Sequence, residues 1–315
     1  MSYTEFCFFM IRAVTLAVFT AAAFVLSLEA VQIYFKFTKR PAFLAKLFRF
    51  KTLRILLHAA AAAIVITYVY ACFIEPRWLE ISRHRIETDK LENTSFRIVQ
   101  ITDTHCDKRA VLEQRLVREV RRLSPDAVVF TGDACNIGEY VAKQRFRELF
   151  SNIDPPLGIY GCEGNWSFDT RKLFEQAGID PLFNESRTIE KNGETLQIYG
   201  ADFQNPNIEG LTKLDEESFR LFLYHSPDLF EAVPQGSAEL YLAGHTHGGQ
   251  IALPFYGAII TFSRYGKKYE EGMFEKPGMQ MYVSRGVGLD GGGVIKARFL
   301  ARPELAVFDI VPKDE

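Results

Sequence analysis

The sequence predicts an α/β domain preceded by two membrane-spanning helices. Three observations carry that prediction. Two apolar runs occupy most of the first eighty residues, short apolar strands alternate with helical patterns from Phe96 onward, and histidines and carboxylates recur where those strands end. At 315 residues the chain holds one sizeable domain plus a smaller element. Residues 1–80 read as two transmembrane helices with a basic connecting loop, and residues 81–315 as one catalytic domain.

The first run extends from Phe6 to about Phe35 and carries only Arg12 and Glu29 as charges. The second extends from Ile55 to Ile74. Each covers a hydrocarbon core of about 30 Å as a helix of roughly 20 residues. A cleaved signal peptide needs a basic start and a shorter core, and the first run lacks the basic start. A buried helical hairpin is the alternative, and runs this long seldom occur in soluble cores. Between the runs lie Lys36, Lys39, Arg40, Lys46, Arg49, Lys51 and Arg54 with no acidic residue, whereas residues 1–5 hold no Lys or Arg. Counting Lys and Arg places this loop in the cytoplasm and the catalytic domain on the outer side. A first run lying in the interface instead of spanning it reverses that orientation.

From Phe96 the elements follow in order. Phe96–Ile101 is a short apolar strand ending at Thr102-Asp103. Val111, Leu112, Leu116, Val117, Val120 and Leu123 recur at helical spacing, with Arg115, Arg118, Arg121 and Arg122 on a solvated opposite face, and Pro125 stops the helix. Ala127–Thr131 is a strand leading to Gly132-Asp133. Phe146–Phe150 closes a helix, and Gly158–Gly161 is a strand leading to Gly164-Asn165. Leu196–Tyr199, Leu221–Tyr224, Leu240–Ala243, Tyr282–Ser284 and Leu305–Ile310 supply further strands. A net charge of −2 shows no basic excess for neutralising nucleic-acid phosphates, so no nucleic-acid partner is expected. Five cysteines form no CxxC pair and no zinc-finger spacing.

The chemistry lies at the strand ends. Asp103 and His105 are two apart, which on an extended segment turns their side chains to one side. His245 and His247 repeat that spacing among Gly244, Gly248 and Gly249. Asp133 offers two oxygens able to bridge two ions, and Asn165 and His225 add a neutral oxygen and an imidazole. Each motif alone is weak, because a lone buried histidine is usually a satisfied polar residue. Two aspartates, an asparagine and four of the six histidines on successive strand ends make a joint signal. A nitrogen and oxygen set without thiolate suits manganese, iron or zinc better than magnesium alone, with manganese first. Two such ions about 3.5–4 Å apart clamp the attacking and leaving oxygens of an in-line phosphoryl displacement and make water acidic enough to attack at neutral pH.

These residues, Asp103-Thr-His105, Gly132-Asp133, Gly164-Asn165, His225 and Gly244-His245-Thr-His247-Gly-Gly, resemble the calcineurin-like metallophosphoesterase signature over roughly residues 96–310. The resemblance implies a four-layer fold of two mixed sheets flanked by helices. It implies that Asp103, His105, Asp133 and His247 hold one metal and that Asp133, Asn165, His225 and His245 hold the other. Asp133 and His105 are then the expected catalytic residues, with Asn165 and Trp166 contacting substrate. The segments Ser263–Tyr269 and Ser284–Gly288 resemble the membrane-tethered branch, which includes lipid A-pathway enzymes that hydrolyse UDP-2,3-diacylglucosamine. The expected partners are therefore a lipid bilayer and a phosphorylated, lipid-linked small molecule. A non-catalytic scaffold that kept the fold is the competing class.

One departure stands out. The family reads Gly-Asn-His-Asp at the third motif, and this chain reads Gly164-Asn165-Trp166-Ser167. Indole has one N–H and no useful acid chemistry, so Trp166 does not protonate an alkoxide. General acid help is worth roughly 10²–10⁴-fold. A phosphate leaving group, with a second pKa of about 6, needs less of it. The departure points toward pyrophosphates or activated diesters, unless His105 or a bound water donates instead. Cys106, Cys135 and Cys162 lie beside proposed ligands, either as small buried residues or as a disulfide or thiol ligand at the rim. Phe255, Tyr256, Ile259, Ile260 and Phe262, followed by Arg264, Lys267 and Lys268, read either as a lip near the bilayer or as an ordinary strand or core loop.

Overall fold

The computed structural model describes residues 51–313 apart from 109–110, 137–139, 167–168 and 291–295, together with scattered helical positions between Leu16 and Phe37. The predicted first span falls mostly outside the described residues. The chain divides into two compact units, Met1–Ile74 with Gly292–Ile295, and Glu75–Gly291 with Lys296–Glu315. In the first unit α1 spans Lys51–Val69 and runs into a π-helical turn over Tyr70–Ile74. The stretch Ile55–Arg77 is long and apolar enough to cross a membrane, and 6% of its most apolar window is buried.

The second unit contains, in order, β1 (Glu80–Thr88), β2 (Phe96–Ile101), α2 (Glu113–Leu123), β3 (Ala127–Thr131), α3 (Tyr140–Phe150), β4 (Ile159–Cys162), α4 (Thr170–Ala177) and β5 (Asp180–Pro181). There follow β6 (Glu185–Lys191), β7 (Glu194–Gly200), β8 (Phe219–Leu223), β9 (Leu240–Ala243), β10 (Ala252–Leu253), β11 (Gly257–Ala258), β12 (Gly272–Lys276), β13 (Met279–Val283) and β14 (Glu304–Pro312). Two six-stranded mixed sheets form, in the orders β1-β14-β2-β3-β4-β5 and β12-β13-β9-β8-β7-β6. β10 and β11 make a separate hairpin.

The alternation along β2 shows how the layers assemble. Phe96 and Ile98 point into the core between the sheets, with Ala127, Val129, Leu196, Ile198, Leu221, Leu223, Leu240 and Leu242. Val99 and Ile101 point the other way, beneath the three helices of the first sheet. There Leu116, Val120 and Leu123 of α2, Phe146 and Phe150 of α3, and Phe174 of α4 close over Phe130. The Phe130 ring lies 5.3–5.4 Å from those of Phe146, Phe150 and Phe174, all edge-on. α2 ends at Leu123, where Ser124 turns left-handed (φ 47°) and donates its N–H to Arg121 O, and Pro125, with no N–H to give, cannot continue the helix.

The outer face of the second sheet differs from the expected helical layer. Tyr199, Phe222, Tyr241, Met281 and Val283 are covered there by Leu211, Phe230 and Val233, which belong to short 3₁₀ turns and loops. The connections between β7 and β8 and between β8 and β9 form 3₁₀ turns over Ile208–Lys213 and Pro227–Leu229, and no α-helix among the described residues.

Candidate metal centre

Every proposed ligand follows a central strand: Asp103 and His105 follow β2, Asp133 β3, Asn165 β4, His225 β8, and His245 and His247 β9. The first three strands belong to one sheet and the last two to the other, so the ligands meet where the two central carboxyl-terminal edges face each other. This is where open α/β sheets place their sites.

The route by which they converge is not the extended one. Asp103, His105, Asp133, His245 and His247 all have positive φ, between 41° and 73°. Non-glycine residues rarely adopt that conformation, and clusters of them mark functional sites. Backbone bonds between the two ligand loops hold it. The Asp103 N–H donates to Gly132 O at 2.9 Å and the His105 N–H to Asp133 O at 3.0 Å. Glycine is required where those loops touch. A Cβ on Gly132 (φ 103°) would meet His225 Nδ1 at 2.5 Å, and one on Gly244 would meet Asp103 Oδ2 at 2.2 Å.

Two groups of imidazoles result. His105 Nε2 and His247 Nε2 face each other at 3.1 Å, and His225 Nε2 lies 3.2 Å from His245 Nδ1 and 3.0 Å from Asn165 Oδ1. His225 Nδ1 contacts Thr131 O at 2.7 Å. That carbonyl only accepts, so Nδ1 carries the hydrogen and Nε2 is left for the cluster.

Asp133 commits one oxygen to the frame and turns the other to the centre, and Asp103 does so while sharing the His245 N–H between both oxygens, at 3.1 and 3.3 Å. Asp103 Oδ2 accepts from Thr102 Oγ1 (2.7 Å) and the His245 N–H (3.1 Å), and Oδ1 lies 3.3 Å from His247 Nε2, 3.8 Å from His105 Nε2 and 3.9 Å from His225 Nε2. Asp133 Oδ1 accepts the Trp166 backbone N–H at 2.8 Å, and Oδ2 lies 3.5 Å from His105 Nε2 and 3.3 Å from His225 Nε2. Asp133 thus presents one oxygen to one imidazole of each group. Asn165 is exposed at the mouth, and the Trp166 ring meets His105 edge-on at 6.2 Å.

Burial sets the electrostatics. It pushes the Asp103 carboxyl up, with Asp133 adding to the effect and His225 opposing it. Burial pushes Asp133 up as well, but His225, His105 and the Trp166 N–H outweigh it and hold the carboxyl well below its usual range. Burial pushes His225 down, and Asp133 and Asp103 overcome it to raise the ring to about 9. Burial, with repulsion from His225 and from His105 respectively, keeps His245 and His247 neutral, each with a lone pair to give.

The residues fit divalent ions. Asp103, His105 and His247 offer three ligand atoms within 4.8 Å of one another, and so do Asp103, Asp133 and His225. Opposed imidazole nitrogens and inward-facing carboxylate oxygens form a donor set for borderline cations. No thiolate joins it. Cys106, Cys135 and Cys162 are buried free thiols, Cys106 and Cys135 on neighbouring bridge positions. Burial raises all three, Cys135 to about 12, which keeps them protonated and space-filling.

Arg298 is the site residue that the sequence conceals. Fully buried, it donates to the carbonyls of Gly288 (2.7 Å), Arg285 (2.8 Å) and Ala301 (2.8 Å), and its Nη2 lies 3.3 Å from His247 Nδ1. It ties the 285–288 loop behind the His247 loop, and burial brings the guanidinium down to about 10. Asn136 does similar work for the other loop, donating to His105 O at 3.2 Å and Leu289 O at 2.9 Å. Neither follows a motif, and no sequence signal separates Arg298 from a surface arginine.

The calcineurin-like phosphoesterase family model matches residues 96–249. YkuE of Bacillus subtilis, described as an uncharacterized metallophosphoesterase, is 34% identical over 259 residues, covering 77% of this chain and 89% of that protein. YaeI of Escherichia coli, a phosphodiesterase, is 27% identical and covers 81% and 97%. LpxG of Chlamydia muridarum, a UDP-2,3-diacylglucosamine pyrophosphatase, is 24% identical and covers 80% and 95%. The family match opens with the first residue of β2 and closes on the glycines behind His247, so it encloses every residue of the cluster. On that span and the YkuE likeness, the chain belongs to the calcineurin-like phosphoesterases, metal-dependent hydrolases of phosphoric esters.

Proposed function

We propose that the chain is a membrane-anchored, two-metal phosphohydrolase that cleaves a phosphodiester or pyrophosphate in a lipid-linked substrate, UDP-2,3-diacylglucosamine being the leading one. The observation that carries this reading is the placement of Asp133, with one free oxygen between His105 and His225. Asp103, His105, Asp133 and His247 would hold one ion, and Asp133, Asn165, His225 and His245 the other, with manganese first. Such ions supply Lewis-acid charge and acidify water.

The chain's own residues do the rest. Asp133 and Asp103 aim one oxygen each into the cluster. Thr131 O and Arg298 fix the His225 ring and the His247 loop. Asn165 and Trp166 line the mouth, where substrate enters. Trp166 offers a ring face and no acid, which favours leaving groups that depart without a proton. The likeness to LpxG supports the pyrophosphate, and the apolar Ile55–Arg77 stretch supports the anchor.

The basic loop at Lys36–Arg54 favours a second reading, an outer-side phosphoesterase of cell-envelope or nucleotide substrates, because UDP-sugars are cytoplasmic. A reporter fused at the C-terminus separates the two. Activity only in the cytoplasm supports UDP-2,3-diacylglucosamine, and activity only outside removes it. Metal analysis of the purified chain, with a bis(p-nitrophenyl) phosphate assay, tests catalysis itself. Bound metal without turnover indicates a scaffold.

A further inference from the structure

The segment after His247 does not return to the core. β10 and β11 pair antiparallel, Ala252 with Ala258 and Leu253 with Gly257, and the turn between them projects Phe255 fully into solvent with φ 64°. Leu253, Tyr256 and Ile259 are also exposed, at 45%, 58% and 50%. Among the described residues nothing covers this tip, and a contiguous exposed apolar patch marks an interaction or membrane surface.

This tip is rigidly seated. Ile259 N–H donates to Ile251 O, and Ala258 N–H to Glu270 Oε2 at 3.0 Å. Lys267 bonds Glu270 and the carbonyls of Tyr256 and Ala258, and its ammonium sits 4.2 Å from the centre of the Tyr256 ring. The neighbouring charges are already matched, Lys267 by Glu270, Lys268 by Glu231 and Arg264 by Asp228. What the tip offers outward is therefore apolar surface rather than net positive charge.

A backbone path joins it to the end of the apolar span. Ile251 bridges Phe299, and Ala252 N–H donates to Phe299 O at 2.8 Å. Leu300, next in the chain, is exposed at 48%. Ala301 N–H donates to buried Glu75 at 2.7 Å, and the Arg302 guanidinium stacks 4.4 Å from the Trp78 ring centre while bonding Trp78 O. Trp78 is the residue after Arg77, where the apolar stretch ends. In a spanning helix, tryptophan at that position is enriched at the membrane interface. Trp78, Leu300, Leu253 and Phe255 thus lie along one hydrogen-bonded path within the second unit, running from the residue after the apolar stretch to the hairpin that follows the His247 loop.

We propose that the β10–β11 hairpin dips into the bilayer as a second, apolar membrane contact, holding the mouth of the metal centre at the lipid surface. The inference rests on the anchoring reading and deepens it, because a mouth held there meets a lipid-linked phosphate without the lipid leaving the membrane. A protein partner fits less well. A stable interface needs about 800 Å² per partner, whereas the tip is a narrow projection of a few side chains. Matched charges mean that zwitterionic lipid suffices.

The test uses the full chain reconstituted in phosphatidylcholine vesicles, with lipids brominated on their acyl chains as quencher. Phe255→Trp reports the tip, and Val65→Trp, within the span, reports the anchor. The emission each variant adds to that of the parent is compared in brominated and ordinary lipid. Loss of most of the added emission in both variants is expected, and should persist at high salt. Quenching at position 65 with none at 255 overturns the hairpin contact and leaves the anchor standing. No quenching at either position overturns the anchor and the inference together.

Discussion

Replacing Asp133 by Asn isolates the central charge of the site. The amide keeps the shape, and its carbonyl oxygen can still accept the Trp166 N–H that Oδ1 accepts at 2.8 Å. The NH₂ then stands where Oδ2 faced His225 at 3.3 Å and His105 at 3.5 Å. A unit charge at 3.3 Å is worth about 5 kcal/mol at an effective dielectric of about 20. A cation in the cluster loses an attraction of that order, which corresponds to roughly 10³–10⁴-fold in affinity. The variant should therefore lose at least one metal ion and nearly all turnover. Its fold should remain, because no backbone bond is broken. Elemental analysis after dialysis, hydrolysis of bis(p-nitrophenyl) phosphate and a urea melt in chelator measure the three separately. Near-normal metal content and turnover would refute the reasoning, and a collapsed melt would move the role of Asp133 from chemistry to folding.

Trp166→His should restore a proton donor and flatten the dependence of rate on leaving-group pKa, with poor leaving groups gaining toward about 10²-fold. Equal slopes for the two proteins across a graded series of aryl and alkyl esters would leave Trp166 a packing or stacking role. Gly132→Ala strains a φ of 103° and drives a methyl to 2.5 Å from His225 Nδ1. It should displace that ring and lower metal content, and an unchanged metal stoichiometry would contradict the geometry. Arg298→Met leaves the carbonyls of Gly288, Arg285 and Ala301 without their donor and should destabilise the domain by about 3 kcal/mol or more in urea, even in chelator. A loss seen only with metal present would make Arg298 a ligand-positioning residue alone.

Residue chemistry and local pattern determined the ligand identities and the central strands. Leu240–Ala243 and Phe96–Ile101 are legible because central strands are apolar runs that end at polar turns, and the histidines and carboxylates announce themselves by type. The edges are not legible. β1, β6 and β12 carry no apolar run, and all three lie at sheet edges. An edge strand carries polar side chains on its open face, as β1 does with Arg83, Arg85 and Glu87, so it shows no apolar run. The two-turn helix α4 is too short to show a period. At the site, an extended backbone explains neither Asp103 with His105 nor His245 with His247. Their left-handed geometry is imposed by bonds to loops from other strands, which local propensity cannot encode. Arg298 and the cover on the second sheet depend on burial, and burial exists only once distant segments have packed.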